Sequence, residues 1–101
     1  MKVVYAERAR RDIEAIYDYI ASSNPTAAQA VEDAIRLTCE ALPEFPYAAP
    51  ATDEPNVRRA PLVTYPYTIF YRVDDQQQRI EIARVIHGAR ISDLGRLPDD
   101  T

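Results

Sequence analysis

The sequence predicts an α+β fold in which a helical hairpin precedes an antiparallel sheet. Apolar residues recur every three or four positions in the first half of the chain and every second position in the later half. The chain has 101 residues, 47% of them hydrophobic, which suits one domain with a continuous core. We therefore predict a single domain over residues 1–101, with the hairpin at about 7–42, the sheet at about 57–88 and a short tail at 89–101.

A short β-prone run, Val3-Val4-Tyr5, opens the chain. It is too brief to be stable alone, so we expect it to pair with a strand from later in the chain. An amphipathic helix follows, from Glu7 to about Ala21, with charged side chains opposite an apolar stripe. The stripe consists of Ala9, Ile13, Ile16, Tyr17 and Ile20.

The segment Ser22-Ser23-Asn24-Pro25 ends the first helix and begins a second. Serine and asparagine cap exposed helical N–H groups, and proline is tolerated in a first turn. The second helix is predicted to run to about Leu42, with small alanines beside its apolar stripe. Because the connection is short, the two helices should form an antiparallel hairpin.

Four prolines punctuate the connector that follows the second helix, so it neither continues the helix nor forms a central strand. We expect an ordered surface loop anchored by Phe45. The hydrophobic period then changes to two. Residues 57–62 form a plausible strand, and Pro61 predicts an edge, a bulge or a strand end there.

Two longer strands should follow, at residues 65–73 and 79–87, joined by a polar hairpin loop. The first is rich in aromatic and β-branched residues. The second is apolar on both faces, which predicts a covering on each face. The helical hairpin can cover one face, and a partner protein can cover part of the other.

Several classes of site are disfavoured by the composition. The chain has one histidine and one cysteine without clustered carboxylates, which cannot supply a metal ligand set, and it has no glycine-rich phosphate loop. Cys39 falls in the apolar pattern of a helix and is interpreted as a buried, inert thiol. We expect no cofactor, no membrane span and, since residues 1–8 lack the apolar region of a signal peptide, a cytoplasmic location.

The charge of the chain is unevenly distributed. The net charge of −4 argues against direct binding of the chain to phosphate backbones. Residues 1–56 hold 5 basic and 10 acidic side chains, whereas residues 57–96 hold 7 arginines and 4 acids. Arginine suits planar, bidentate contacts, so the later half is the candidate contact region.

Arg84, His87 and Arg90 form the candidate site at the end of the last strand. Strand alternation places Arg84 and His87 on opposite faces unless a bulge re-aims the chain. A histidine beside an arginine can perform acid and base chemistry on a phosphodiester. In the alternative interpretation, which we favour, His87 closes the strand by hydrogen bonding and the arginines pair with acids such as Glu81 or Asp93.

Tyrosines on the strand at 65–73 are a second candidate surface. Tyr65, Tyr67 and Tyr71 could stack on nucleic-acid bases. A tyrosine-rich strand is more often part of a core, with its hydroxyls at the rim, and we favour that interpretation.

The order of these elements resembles the RelE/ParE toxin superfamily of type II toxin-antitoxin systems, and the ParE branch in particular. The matching positions span nearly the whole chain, and their order and spacing are more specific than any one of them. They are Ala9, Ile13, Ile16, Tyr19-Ile20, Asn24-Pro25, Ala28, Phe45-Pro46, Tyr67, Ile69, Tyr71, Arg84-Val85, His87-Gly88 and Arg90.

The resemblance implies a βααβββ fold, with the helical hairpin on one face of a curved sheet. It also implies a cognate antitoxin whose carboxy-terminal segment wraps the toxin. ParE-like members poison DNA gyrase, and RelE-like members cleave mRNA on the ribosome. The ribonucleases are similar to one another in being strongly basic, whereas this chain is acidic. It also has few side chains near its histidine that could act as a general acid or base.

We therefore expect a plasmid- or chromosome-stabilising toxin that inhibits growth by binding a host protein, with gyrase as the favoured target. The alternatives are a RelE-like ribonuclease that uses His87, Arg84 and Arg90, and a non-toxic module that only binds its antitoxin. The expected partner or target contacts are Arg58, Arg59, Tyr71, Arg84, His87 and Arg90.

Overall fold

The computed structural model describes residues 1–89, which form two helices packed on a four-stranded mixed sheet. The α+β class and the βααβββ order are confirmed. Arg90 and the rest of the predicted tail lie outside the described residues. The elements are β1 (Lys2–Tyr5), α1 (Glu7–Ala21), α2 (Pro25–Ala41), β2 (Val57–Pro61), β3 (Tyr67–Asp74) and β4 (Arg79–His87), with a 3₁₀ turn at Leu42–Glu44.

The strands lie in the order β1-β4-β3-β2. β3 is antiparallel to both of its neighbours, β2 and β4, as the sequence predicts. β1 pairs with a later strand, as expected, but it runs parallel to β4 and makes the sheet mixed. A parallel pair needs a long crossover connection, and here both helices and two strands separate β1 from β4 along the chain.

The helical hairpin begins and ends close to the predicted positions. Asn24 caps α2, because its side-chain oxygen accepts a hydrogen bond from the Ala27 N–H at 3.0 Å, and Pro25 occupies the first turn. Ala9 of α1 and Ala28 of α2 have no exposed surface. Small side chains at these positions let the helices pack closely against each other and the sheet.

The larger core cluster lies between the helices and the sheet, where Ile69, Tyr71, Ile80 and Ile82 are completely buried. Cys39 belongs to this cluster, and burial raises the pKa of its thiol to about 12. A thiol that is buried and protonated is a poor nucleophile, which agrees with the inert role that the sequence predicts.

β4 contains a bulge at Ala83, opposite the Phe70-Tyr71 step of β3. Tyr71 pairs with Ile82 and Phe70 pairs with Arg84, so Ala83 has no partner residue on β3. Val57, Phe70 and Ile86 form a second, smaller buried cluster. Strand alternation places this cluster on the face away from the helices. β4 therefore buries apolar side chains on both faces, as the sequence predicts.

The connector between α2 and β2 is ordered, but the prediction that Phe45 anchors it is wrong, since Phe45 is 74% exposed. Hydrogen bonds to its backbone hold it instead. The Tyr71 hydroxyl donates to the Pro46 carbonyl at 2.8 Å, and Arg58 donates to the Ala49 carbonyl at 2.7 Å. Ala51 also bridges to Arg58 and covers part of the outer edge of β2.

Candidate functional site

Arg84 is bound to Asp12 of α1 by two hydrogen bonds. Its Nε lies 2.8 Å from Asp12 Oδ2, and its Nη2 lies 3.2 Å from Oδ1. The two side chains are only 14% and 12% exposed. The pair therefore has the bidentate geometry of a strong, largely buried arginine-carboxylate contact.

Asp12 lies beside the part of β4 that β1 is too short to cover. β1 ends at Tyr5, and the last hydrogen bond from this segment to β4 runs from the Ala6 N–H to the Ile82 carbonyl, at 2.9 Å. Beyond this point Asp12 Oδ2 accepts the Val85 N–H at 3.0 Å. The carboxylate thus supplies the acceptor that a continuing strand would provide, because a buried N–H needs a partner.

The sequence did not identify Asp12 as the partner of Arg84. Glu81, one of the expected acids, pairs with Arg72 at 3.3 Å, and Asp93 lies outside the described residues. The sequence does contain a signal, since Asp12 is an acid on the charged face of α1, one turn after Arg8. Arg8 also approaches Asp12, with 3.6 Å between Nε and Oδ1, but its side chain is 52% exposed and this ion pair contributes little to stability.

His87 closes β4 through local contacts. Its Nδ1 accepts a hydrogen bond from the Ala89 N–H at 3.0 Å, and its ring stands edge-on to the ring of Tyr67, with centroids 5.3 Å apart. The adjacent Gly88 N–H donates to the Pro66 carbonyl at 2.7 Å. The strand end and the imidazole are both held in place.

Arg84 and His87 do not form an acid-base pair. Arg84 pairs with Phe70 across the sheet and His87 pairs with Tyr67, so the two side chains leave opposite faces, as alternation predicts. Residues 1–89 contain no group of three His, Cys, Asp or Glu side chains that could hold a metal ion. Within the same residues, no helix is both long and apolar enough to cross a membrane.

The other expected contact residues are divided between internal and surface positions. Arg58 donates to the carbonyls of Tyr47 and Ala49, and its guanidinium lies 5.0 Å from the centroid of the Tyr47 ring. Tyr71 has no exposed surface to offer a partner. Arg59, in contrast, is exposed on β2.

An open apolar groove, which sequence reasoning missed, lies between the end of α2, the connector and β2. Its volume is about 580 Å³. Leu37 and Phe45 line it and are 64% and 74% exposed, and Arg59 also lines it. The available signal was Leu37, an apolar residue outside the apolar stripe of α2. Large exposed apolar side chains that share a groove are typical of a protein-binding surface.

Residues 3–92 match the family model for the ParE toxin of the type II toxin-antitoxin system parDE. The chain belongs to the ParE toxin family. The predicted membership of the RelE/ParE superfamily is therefore confirmed, and the protein is a toxin of a type II toxin-antitoxin system.

Relatives of this ParE-family toxin carry the names of both branches. Toxin RelE2 of Caulobacter vibrioides is 36% identical over 93 residues, which cover 89% of this chain and 98% of that protein. Among solved structures, the chromosomal ParDE system from P. aeruginosa aligns with a TM-score of 0.76 and 26% identity, covering 86% of this chain and 95% of that one.

A toxin-antitoxin complex, RelBE2 of Mycobacterium tuberculosis, has the same fold. It aligns with a TM-score of 0.55 and 21% identity, covering 85% of this chain and 95% of that one. Both of these solved structures come from toxin-antitoxin systems, which supports an antitoxin as the partner of this toxin.

Proposed function

We propose that this toxin arrests growth by binding a protein target, DNA gyrase, and that it does not cut RNA. The observation that carries the proposal is the pairing of Arg84 with Asp12. To stabilise charge on a phosphodiester, Arg84 would have to leave Asp12. That change would leave a largely buried carboxylate without its partner, at a high free-energy cost.

The charge of the toxin also supports a protein target. Ribosomal RNA presents a dense array of phosphates, and binding to it requires an excess of lysine and arginine. The toxin has a net charge of −4 and a single histidine. Its arginines Arg58, Arg72 and Arg84 all make contacts within the described fold.

The proposed contact surface comprises the groove with Arg59 and the end of β4 with His87, extended by Arg90. The fold beneath this surface is stabilised by the internal contacts of Arg58, Tyr71 and Arg84. The carboxy-terminal segment of the cognate antitoxin covers the groove and the arginine-bearing sheet face. The toxin acts in the cytoplasm, where gyrase is found.

Expression of the toxin without its antitoxin should arrest growth, and the purified toxin should block supercoiling by gyrase. Arg59→Ala should weaken gyrase inhibition by about threefold to tenfold if Arg59 contacts the target. The matched control is Arg11→Ala, since Arg11 is an exposed arginine on α1, outside the groove. Normal supercoiling at a large excess of wild-type toxin would refute the gyrase assignment.

The groove can be tested by antitoxin affinity. Leu37→Ser should weaken binding by about tenfold, because it removes an exposed apolar side chain from the groove. Val63→Ser is the control, since Val63 is fully exposed and does not line the groove. Equal affinities of the two variants would exclude the groove as the antitoxin site.

Ribosome-dependent mRNA cleavage is the second candidate, because a relative with 36% identity is named RelE2. Primer extension on translated messages after induction would then show codon-phased cuts. Harmless overexpression combined with tight antitoxin binding would instead indicate a module that only binds its antitoxin.

A further inference from the structure

His87 is the only histidine of the chain, and its ring is held by a hydrogen bond that the proposed function does not use. The Ala89 N–H donates to Nδ1 at 3.0 Å. A ring nitrogen can accept this bond only through its lone pair, so Nδ1 carries no proton. In the neutral imidazole the proton must therefore sit on Nε2.

Nε2–H is a donor without an acceptor in the described fold. None of the hydrogen bonds made by residues 1–89 involves Nε2. The His87 side chain is half-buried rather than enclosed, so the protein does not seal this N–H away from a partner. As far as residues 1–89 are concerned, this donor is available to water or to an acceptor on another molecule.

The direction of the donor is fixed before any partner binds. The Tyr67 ring stands edge-on to the imidazole, and the Gly88 N–H holds the strand end to Pro66 at 2.7 Å. The ring therefore loses little conformational freedom when a partner binds, which favours affinity. Tyr19, on α1, is 80% exposed and close enough to Tyr67 to contribute to the raised pKa of that phenol, after burial.

We infer that His87 is a hydrogen-bond donor of fixed tautomer whose Nε2–H binds a carbonyl or carboxylate oxygen of the antitoxin. The inference rests on the proposed contact surface, which includes the end of β4 with His87, and extends the antitoxin contact to that strand end. The tautomer also excludes Nε2 as a general base, because accepting a proton there would require a lone pair that Nε2 lacks.

The tautomer can be measured directly on the purified toxin. Long-range proton-nitrogen correlation spectra of the imidazole, recorded where the ring is neutral, should show the proton on Nε2 and a bare Nδ1. A proton on Nδ1 would overturn the inference, since the Ala89 N–H could not then donate to it. This readout does not depend on any target or partner.

Two substitutions separate the donor from the rest of the ring. The side-chain oxygen of His87→Asn can replace Nδ1 as an acceptor for the Ala89 N–H, but this side chain does not reach the position of Nε2. The amide N–H of His87→Gln reaches the Nε2 position but gives up the local acceptor. Antitoxin affinity should fall by about threefold to tenfold in His87→Asn and by a clearly smaller factor in His87→Gln, which keeps the donor but loses the bond that orients it.

Wild-type affinity in His87→Asn, or an equal loss in both variants, would overturn the assignment of Nε2 as the donor. The same variants should be tested in the gyrase supercoiling assay. A loss of gyrase inhibition with unchanged antitoxin affinity would overturn the assignment to the antitoxin and place the acceptor on the target. If the wild-type toxin does not inhibit gyrase, the gyrase proposal fails, while the spectra and the antitoxin affinities still decide the role of His87.

Discussion

The contact between Asp12 and Arg84 shows how one carboxylate can complete a sheet. Asp12 accepts from the Arg84 side chain and from the Val85 N–H, so it balances a charge and satisfies a backbone donor together. From the sequence alone, an arginine in this position is interpreted as a contact or catalytic residue. Its actual partner is 72 positions away in the chain, and sequence spacing could not identify it.

Asp12→Ala should lower the free energy of unfolding by roughly 3 kcal/mol, because it leaves Arg84 largely buried without its partner and Val85 N–H without an acceptor. Urea denaturation would measure the change. Arg8→Ala is the control, and its effect should stay below about 1 kcal/mol because Arg8 is half-exposed and 3.6 Å from Asp12. A loss as small as that of the control would mean that the ion pair is dispensable.

Cys39 predicts a loss of stability in alkaline solution. Burial raises the pKa of the folded thiol from 9.0 to about 12, so the folded state favours the protonated form more than the unfolded state does. This stabilising contribution is complete below pH 9.0 and is lost as the pH rises towards about 12. Cys39→Ala should make the alkaline decline in the urea midpoint shallower, and an unchanged decline would assign the effect to other groups.

At the scale of elements, hydrophobic periodicity predicts both helices and the three later strands. It works because each element buries one face and follows the repeat of its own backbone. The parallel pairing of β1 and the bulge at Ala83 were not predictable in this way, since both depend on contacts between distant parts of the chain. The connector was misread because Phe45 is apolar, whereas backbone carbonyls hold the loop.

The connector is held by hydrogen bonds, and one pair of substitutions tests this. Tyr71→Phe removes the hydroxyl that donates to Pro46 and should cost about 1 kcal/mol of unfolding free energy. It should also speed amide exchange at Ala48, in the connector. Phe45→Ala should change stability by less than about 0.5 kcal/mol because the ring is 74% exposed. A greater loss in Phe45→Ala would restore Phe45 as the anchor.

At the scale of the whole molecule, the fold separates structural arginines from exposed ones. Family membership could be predicted from the sequence, because the order and spacing of the elements are sequence properties. The division of roles could not, since the hydrogen bonds of Arg58 and Arg84 and the exposure of Arg59 appear only when the chain is folded. This division of arginines is the basis on which we propose a protein partner rather than an RNA backbone.

The most direct test of the proposed mechanism is a supercoiling assay with purified gyrase, relaxed plasmid and increasing amounts of toxin, in the absence of ribosomes and RNA. We expect the toxin to block supercoiling and the antitoxin to restore it. Unimpaired supercoiling at a large excess of toxin, together with codon-phased cuts in translated messages after induction, would contradict the proposal.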